Sequence, residues 1–188
     1  MYIQEMNSKF KEKLIKLELS KEMKSIVFCD WFVIHEKENK IIGIAGVGGL
    51  FNISYLIVEK NFRSMGLGPI IYKKLINEAK SRGYSYLATY QDPNNINSFK
   101  IHKWLNFETV FRIHYSKNIV QDVKILVLKP KGKIIRRFLK MFNSLFGIII
   151  LTSILKIMKG VFPQILGHEI EDLDDVNIRT SIRNFEKI

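Results

Sequence analysis

The sequence predicts an α/β (α+β) protein with a mixed, mostly antiparallel sheet flanked by helices and a C-terminal helical extension. Apolar periodicity gives the order helix, three strands, helix, strand, helix, two strands. Two helices between strands of an otherwise antiparallel chain favour a mixed sheet in a layered domain. Beyond Pro130 the sequence becomes basic and apolar, which predicts the extension.

The first third of the chain predicts one helix and three strands. Ser8 to Lys24 has apolar residues at helical spacing among charges, which predicts an amphipathic helix. Ile26 to Ile34 and Ile41 to Val47 are rich in β-branched and aromatic residues, and they predict an antiparallel hairpin with a longer polar loop. Ile53 to Val58 is the third predicted strand.

The middle of the chain alternates helices with strands. Ile70 to Arg82 has one apolar face, and Gly83 is a suitable helix stop. The remaining predicted elements are a strand from Tyr84 to Tyr90, a short helix from Asn95 or Asn97 to Trp104, and strands from Phe107 to Tyr115 and from Val123 to Leu128.

Charge and composition limit the classes of function. We predict one domain over residues 1–130 and an extension over 131–188, in which a basic, apolar segment precedes an acidic stretch, Glu169 to Asp175. The net charge of +12 suits an anionic cofactor, anionic lipid or another polyanion, but it also suits simple solubility. Cys29, the single cysteine, and a charged N-terminus predict a reducing, cytoplasmic setting.

The stretch from Arg63 to Gly68 carries the clearest chemical signal. It lies between a predicted strand and a predicted helix, and it contains two glycines. Glycines let the backbone approach a ligand closely, and a helix N-terminus attracts anions, so this turn predicts a phosphate site. Gly68-Pro69-Ile70 does not fit the Gly-Lys-Ser/Thr ending of a nucleotide P-loop, and the third glycine of the dinucleotide pattern is absent.

Two linked motifs resemble those of the GNAT superfamily of N-acetyltransferases. The first is a strand ending in Val58, a short linker, and Arg63-x-x-Gly66-x-Gly68. The second begins at Asn95-x-x-Ser98 and ends at Asn106-Phe107, where Asn106 stands at a common glycine position. The resemblance covers roughly residues 26–129. It also implies an opening strand, which here is absent or reduced to Met1 to Met6.

The resemblance implies that acetyl-CoA is a co-substrate and that the strand ending at Val58 splays from the strand at Tyr86 to Tyr90. The pantetheine arm would then pair with the backbone of Val58 and Lys60. Asn95 would bind this arm or cap the helix. The cofactor-binding residues implied in this way are Val58, Lys60, Arg63, Ser64, Met65, Gly66, Leu67, Gly68, Asn95 and Ser98.

The resemblance also indicates where catalytic groups would lie. His102 occupies the position of the family's usual tyrosine acid, so an imidazolium would protonate the departing thiolate; the alternative is a partly buried helix residue without that task. A backbone N–H near Val58 or Glu59 would polarise the carbonyl. The base is Glu59, Tyr55 or a bound water, with Tyr90 and His114 as further candidates. No metal site is predicted.

We therefore predict direct acetyl transfer from acetyl-CoA to an amine whose identity the sequence does not reveal. The alternative is a weak or inactive CoA-binding module that acts through its tail as a membrane or protein adaptor. The uncharged part of the tail, Met141 to Leu155, is short for a membrane span. It suits packing on the domain, a homodimer contact, or a helix on the inner membrane surface. No nucleic-acid module is visible.

Overall fold

The computed structural model describes residues 1–16, 24–114 and 120–157. The strands are β1 (Tyr2–Glu5), β2 (Trp31–Lys37), β3 (Lys40–Gly48), β4 (Ile53–Val58), β5 (Tyr86–Gln91), β6 (Glu108–His114) and β7 (Val120–Val127). The helices are α1 (Ser8–Lys16), α2 (Leu67–Ser81), α3 (Ile96–Trp104), α4 (Pro130–Met141) and α5 (Leu145–Ile157). Short 3₁₀ helices cover Lys24–Phe28 and Lys60–Phe62.

The described strands form one sheet in the order β1-β2-β3-β4-β5-β7-β6. Neighbouring strands are antiparallel except for β4 and β5, which are parallel. This arrangement confirms the predicted mixed, mostly antiparallel sheet flanked by helices.

The sheet separates two hydrophobic layers. On one side, which we call the α1 face, Phe10 and Leu14 of α1 and the inner side of α4 pack against the strands. On the other side, the α2 face, the apolar residues of α2 pack with Ile101 of α3 and Phe107. Alternation along β4 directs Tyr55 to the α1 face and Leu56 to the α2 face.

The parallel pair is the weakest junction of the sheet. Ile53 and Ala88 are the one register pair between β4 and β5, and the Ala88 N–H donates to the Asn52 carbonyl at 3.1 Å. Beyond that pair β4 stays bonded to β3 up to Val58, while β5 stays bonded to β7 up to Gln91. The predicted splay is therefore confirmed, and it opens a cleft in the sheet.

Two local predictions near the N-terminus were wrong, and a third was confirmed. Residues 26–28 form a 3₁₀ helix, because the Cys29 N–H bonds back to the Ile26 carbonyl at 3.2 Å, and the strand begins at Trp31. The hairpin loop is a tight turn in which Glu38 and Asn39 both have positive φ, at 52° and 62°. The confirmed prediction is the opening strand, which is reduced to β1 within Met1 to Met6 and pairs with β2.

Helix bounds also differ from the sequence predictions. α2 begins at Leu67, three residues early, because Gly66 forms its N-cap. The extension contains two helices up to residue 157, where its described part ends. α4 begins at Pro130 and packs on the sheet, and Ser144 Oγ then accepts the Gly147 N–H at 3.1 Å to start α5. Predictions that fall on residues 17–23, 115–119 and 158–188, including the acidic stretch, lie outside the described part.

Candidate functional site

A cleft of about 650 Å³ lies where β4 and β5 part. Its walls are the second half of β4, the loop into α2, the end of β5 and the first turns of α3. The predicted site residues that line it are Tyr55, Val58, Arg63, Ser64, Gly66, Leu67, Gly68, Asn95, Ser98 and His102. The fold thus brings both sequence motifs to one opening.

The glycine loop forms one end of the cleft. Gly66 has φ of +77°, and a Cβ there would meet no atom within 4 Å, so the backbone is open to a ligand. A Cβ on Gly68 would lie 3.3 Å from Ile101 Cδ1 and 3.4 Å from Leu56 Cδ2. The first turn of α2 starts here, with N–H groups that its own helix does not use. This geometry suits a pyrophosphate.

The open edge of β4 forms the wall beside the loop. The Asn52 carbonyl faces β5 and the Glu59 N–H faces β3, so alternation directs the backbone groups of Leu56 and Val58 into the cleft. An extended ligand could pair with them as an added strand. Arg63 donates its Nε–H to the Val58 carbonyl at 2.9 Å, which ties the loop to this edge.

Glu59 and Lys60 do not share this wall. The Glu59 N–H donates to the Ile42 carbonyl at 2.9 Å, so it is committed to the sheet and cannot polarise a thioester as predicted. Its side chain pairs with Lys40 Nζ at 2.9 Å, outside the lining. Lys60 lies in a 3₁₀ helix and does not line the cleft, so strand-like pairing ends at Val58. Met65 is exposed and does not line the cleft either.

α3 begins beside the opposite wall. The Asn95 side chain caps it, because Oδ1 accepts the Ser98 N–H at 3.0 Å. The helix-cap role, which the sequence left open for Asn95, is therefore confirmed, and the residue also lines the cleft. Asn106 adopts the left-handed conformation with φ of 62°, which agrees with its place at a common glycine position.

His102 lies at the inner end of α3 and is 6% exposed. Its Nδ1 is 2.8 Å from Gln91 Oε1 and 3.3 Å from Ser98 Oγ. An amide oxygen only accepts hydrogen bonds, so Nδ1 carries the proton in the neutral ring. Tyr72 and Phe107 enclose the ring from the side of α2, with centroids at 5.8 Å and 5.1 Å.

Burial and, to a smaller extent, the nearby Lys124 ammonium lower the pKa of His102 to about 3. The imidazolium is therefore a minor species at neutral pH. An imidazolium acid needs the charged form near neutrality, so this environment disfavours the acid role of His102, which stays a prediction.

Lys124 is itself buried, at 3% exposure, with Nζ 4.8 Å from the centroid of the Phe99 ring. Burial lowers its pKa, and the neighbouring Asp122 carboxylate opposes that shift. Asp122 also accepts two hydrogen bonds from Arg112, at 2.6 Å and 3.2 Å. A buried cationic cluster thus lies beneath α3 and next to His102.

Tyr72 is a cleft residue that the sequence analysis missed. Its hydroxyl is 2.5 Å from Ser54 Oγ, which donates to the Ala88 carbonyl at 2.9 Å. Burial raises the pKa of Tyr72 to about 12, although its interactions with Ser54 and Thr89 oppose that shift. In the sequence Tyr72 stands on the apolar face of a helix, where it cannot be distinguished from an ordinary core residue.

Tyr55 and Tyr90 approach the cleft from the α1 face, opposite to His102 and Tyr72. Asp92, at the end of β5, adds a carboxylate to the described lining, and its Oδ1 accepts the Asn94 N–H at 2.8 Å. The side chain of His114 lies outside the described part. Among the described residues, no group of three or more His, Cys, Asp or Glu side chains could hold a metal ion.

The mixed sheet opens between two parallel strands, and a glycine loop and a helix N-terminus lie at one end of the opening. This combination is typical of CoA-dependent acyltransferases. Residues 3–107 match the acetyltransferase (GNAT) family. The chain belongs to this family, it is an acetyltransferase, and acetyl-CoA is its co-substrate. The adaptor alternative gains no support from this match.

Solved structures with the same fold agree with this assignment. The ribosomal-protein-S18-alanine N-acetyltransferase from Escherichia coli is 14% identical, with a TM-score of 0.54 over 68% of this chain and 94% of that one. The yncA structure from Salmonella typhimurium, determined with its cofactor acetyl-CoA, is 13% identical, with a TM-score of 0.51 over 69% and 94%. The IAA acetyltransferase from Bacillus cereus is 13% identical, with a TM-score of 0.53 over 68% and 99%. At these identities the likeness concerns the fold.

Proposed function

We propose that this acetyltransferase transfers the acetyl group directly from acetyl-CoA to an amine. The observation that carries the proposal is the parting of β4 from β5, which leaves the backbone of Leu56 and Val58 facing an opening that reaches both faces of the sheet. A donor and an acceptor can therefore enter from opposite faces and meet without a covalent enzyme intermediate.

The donor side is the α2 face. The backbone of residues 66–68 and the N-terminus of α2 hold the pyrophosphate, and the edge of β4 holds the extended arm. When bound, acetyl-CoA supplies a thioester whose carbonyl carbon is the electrophile. The Val58 N–H, at the open edge, is the donor that we assign to the carbonyl oxygen as charge develops there.

We assign Tyr72 to the leaving sulfur. The C–S bond breaks as the C–N bond forms, and the departing thiolate takes up one proton. His102 stands where the family usually has a tyrosine, and Tyr72 lies beside it. With a pKa of about 12, the Tyr72 hydroxyl keeps its proton at neutral pH. A neutral His102 positions Ser98 and Gln91 instead of supplying that proton.

The acceptor side is the α1 face. The attacking amine must be neutral, so its ammonium form loses a proton before or during attack. Asp92 is the carboxylate that we assign to this task, directly or through water, with the hydroxyls of Tyr55 and Tyr90 orienting the nucleophile.

Calorimetric titration with acetyl-CoA, followed by a thiol-release assay with a panel of small amines, amino sugars and peptides, tests the proposal. We expect binding, and thiol release that depends on one class of amine. The Asp92→Asn variant keeps the oxygen that accepts the Asn94 N–H but removes the base, so it should bind acetyl-CoA normally and turn over slowly. An acetylated enzyme that accumulates without acceptor would contradict direct transfer.

A further inference from the structure

Helix α4 has two apolar faces. Ile135 and Leu139 pack against the α1 face of the sheet, and Gly132 approaches the Ser85 carbonyl so closely that a Cβ would collide with it. Ile134, Phe138 and Met141, at i, i+4 and i+7, form a second stripe that is exposed. Because the first face already anchors the helix, packing against the described residues of the domain does not account for the second.

Helix α5 extends this exposed apolar surface. Phe146, Ile149 and Ile157 are 82%, 65% and 83% exposed, and Ile150 and Ile154 are also exposed. The turn between the helices is tight, because Ser144 Oγ donates to the Met141 carbonyl at 2.7 Å and accepts the Gly147 N–H. We call the exposed apolar residues of α4 and α5 together the outer apolar surface.

The charge around this surface has one sign. Residues 131–159 contain seven Lys or Arg and no Asp or Glu. On α4, Arg136 and Lys140 are bound by Glu108 of β6. For Lys131, Lys133 and Arg137 the structure shows no carboxylate partner within the part of the chain that it describes. These three cations are on α4 itself, which also carries the exposed stripe of Ile134, Phe138 and Met141.

We propose that the outer apolar surface binds an anionic lipid bilayer, with α4 and α5 lying in the membrane interface. No helix in the described part of the chain is long and apolar enough to cross a bilayer. Apolar side chains flanked by Lys and Arg are the pattern that inserts shallowly among anionic headgroups.

Charge favours lipid over a second copy of the same surface. A two-fold contact is isologous, so it would place the cations of one α4 and α5 pair against those of the other. Anionic headgroups neutralise those cations instead. Membrane binding would leave the donor side open, because the glycine loop and the α2 face lie on the side of the sheet opposite to the one that α4 covers.

Co-sedimentation of the full chain with vesicles tests the proposal. The probes are vesicles of phosphatidylcholine alone and vesicles with one third phosphatidylglycerol, each at low and high salt. We expect binding to the anionic vesicles, at least tenfold weaker binding to the neutral ones, and weakening by salt. No binding to anionic vesicles would overturn the proposal.

Two matched pairs of variants separate this surface from general charge. The triple variant Lys131→Gln, Lys133→Gln and Arg137→Gln should weaken binding on the order of a hundredfold, since each cation near an anionic surface contributes about fivefold. Its control, Lys9→Gln, Lys11→Gln and Lys73→Gln, removes the same net charge from α1 and α2. Equal losses for the two triples would overturn the proposal.

The second matched pair tests the apolar residues. The first variant combines Phe146→Ser with Ile150→Ser, and the second, its control, is Leu50→Ser, which changes an exposed apolar residue in the loop between β3 and β4. We expect the first to reduce vesicle binding more than tenfold and the second to leave it unchanged. Light scattering measures the oligomeric state in parallel. If the first variant turns a dimer into a monomer while vesicle binding stays the same, the surface is a dimer contact and the proposal is wrong.

Discussion

His102 donates its Nδ1–H to Gln91 Oε1 across 2.8 Å, and this bond joins α3 to the end of β5. The two residues lie on opposite sides of the interface between helix and sheet, just inside the cleft. The bond requires only one ring proton, and burial beside Lys124 disfavours a second. A histidine of the cleft lining is thus held neutral near neutral pH.

The depressed pKa predicts acid sensitivity. The folded His102 has a pKa of about 3, below the ordinary value of 6.5, so the unfolded chain binds more protons between these values. Stability should therefore fall as pH drops from 6.5 towards 3, by up to about 1.4 kcal/mol per pH unit. His102→Gln should remove that part of the slope in urea unfolding measured at several pH values. Ser98→Ala, which keeps the imidazole, should not.

The assignment of Tyr72 predicts a rate effect. Tyr72→Phe removes the hydroxyl that serves the leaving sulfur, so kcat should fall on the order of a hundredfold while acetyl-CoA affinity changes little. Steady-state kinetics with calorimetry would measure both. Tyr84→Phe is the control, because that hydroxyl binds Trp31 Nε1 at 3.0 Å outside the cleft lining. An unchanged kcat for Tyr72→Phe would remove this residue from the mechanism.

The bond from Arg63 to Val58 predicts that two different substitutions have similar effects. Arg63→Ala loses both the charge and the Nε–H that holds the loop to β4, whereas Arg63→Lys keeps the charge alone. We expect both to weaken acetyl-CoA binding about three- to tenfold, the range for one exposed hydrogen bond. Full recovery in the lysine variant would show that charge, not loop geometry, is the contribution.

The glycine loop predicts a separation of binding from stability. Gly68→Val would press against Ile101 and Leu56 and narrow the cleft, so acetyl-CoA affinity should fall more than tenfold. Gly83→Ala, at φ of +88° beyond the end of α2, should cost about 1 kcal/mol of stability without changing affinity. Thermal unfolding measures stability and calorimetry measures affinity. A loss of stability without a loss of affinity in Gly68→Val, or the reverse in Gly83→Ala, would contradict this account.

The buried pair of Arg112 and Asp122 predicts a large loss of stability. Asp122→Ala leaves the Arg112 guanidinium and the Lys124 ammonium without their carboxylate, so we expect a cost of about 3 kcal/mol in urea unfolding. Glu78→Ala removes an acid from the more exposed Arg82 pair and should cost less than about 1 kcal/mol. Similar losses for both variants would argue against burial as the cause.

Sequence patterns predicted the sheet and the donor side well for physical reasons. The bounds of β4 were predicted because a continuous apolar run ends at a polar linker, and the loop was predicted because glycines and a helix start fix its backbone. The start of β2 was missed, since residues 26–28 are as apolar as the strand that follows. A 3₁₀ helix uses the same apolar residues, so composition cannot separate the two.

The catalytic side was harder to predict because it depends on contacts between distant elements. The protonation state of His102 follows from Gln91, Lys124 and Tyr72, which lie on three other elements. Glu59 was predicted as a base because it is the carboxylate nearest to the motif, yet its side chain pairs with Lys40 outside the cleft lining. Such features come from packing, which no local pattern contains.

The single register pair between β4 and β5 has a thermodynamic consequence. An arm bound in the opening supplies the hydrogen bonds that the sheet lacks there, so the co-substrate takes part in the folding equilibrium as well as in the reaction. By mass action, acetyl-CoA at a hundred times its Kd would add about 2.7 kcal/mol to the free energy of unfolding. The cell's concentration of acetyl-CoA would then affect the fraction of the enzyme that is folded, as well as the rate of the reaction.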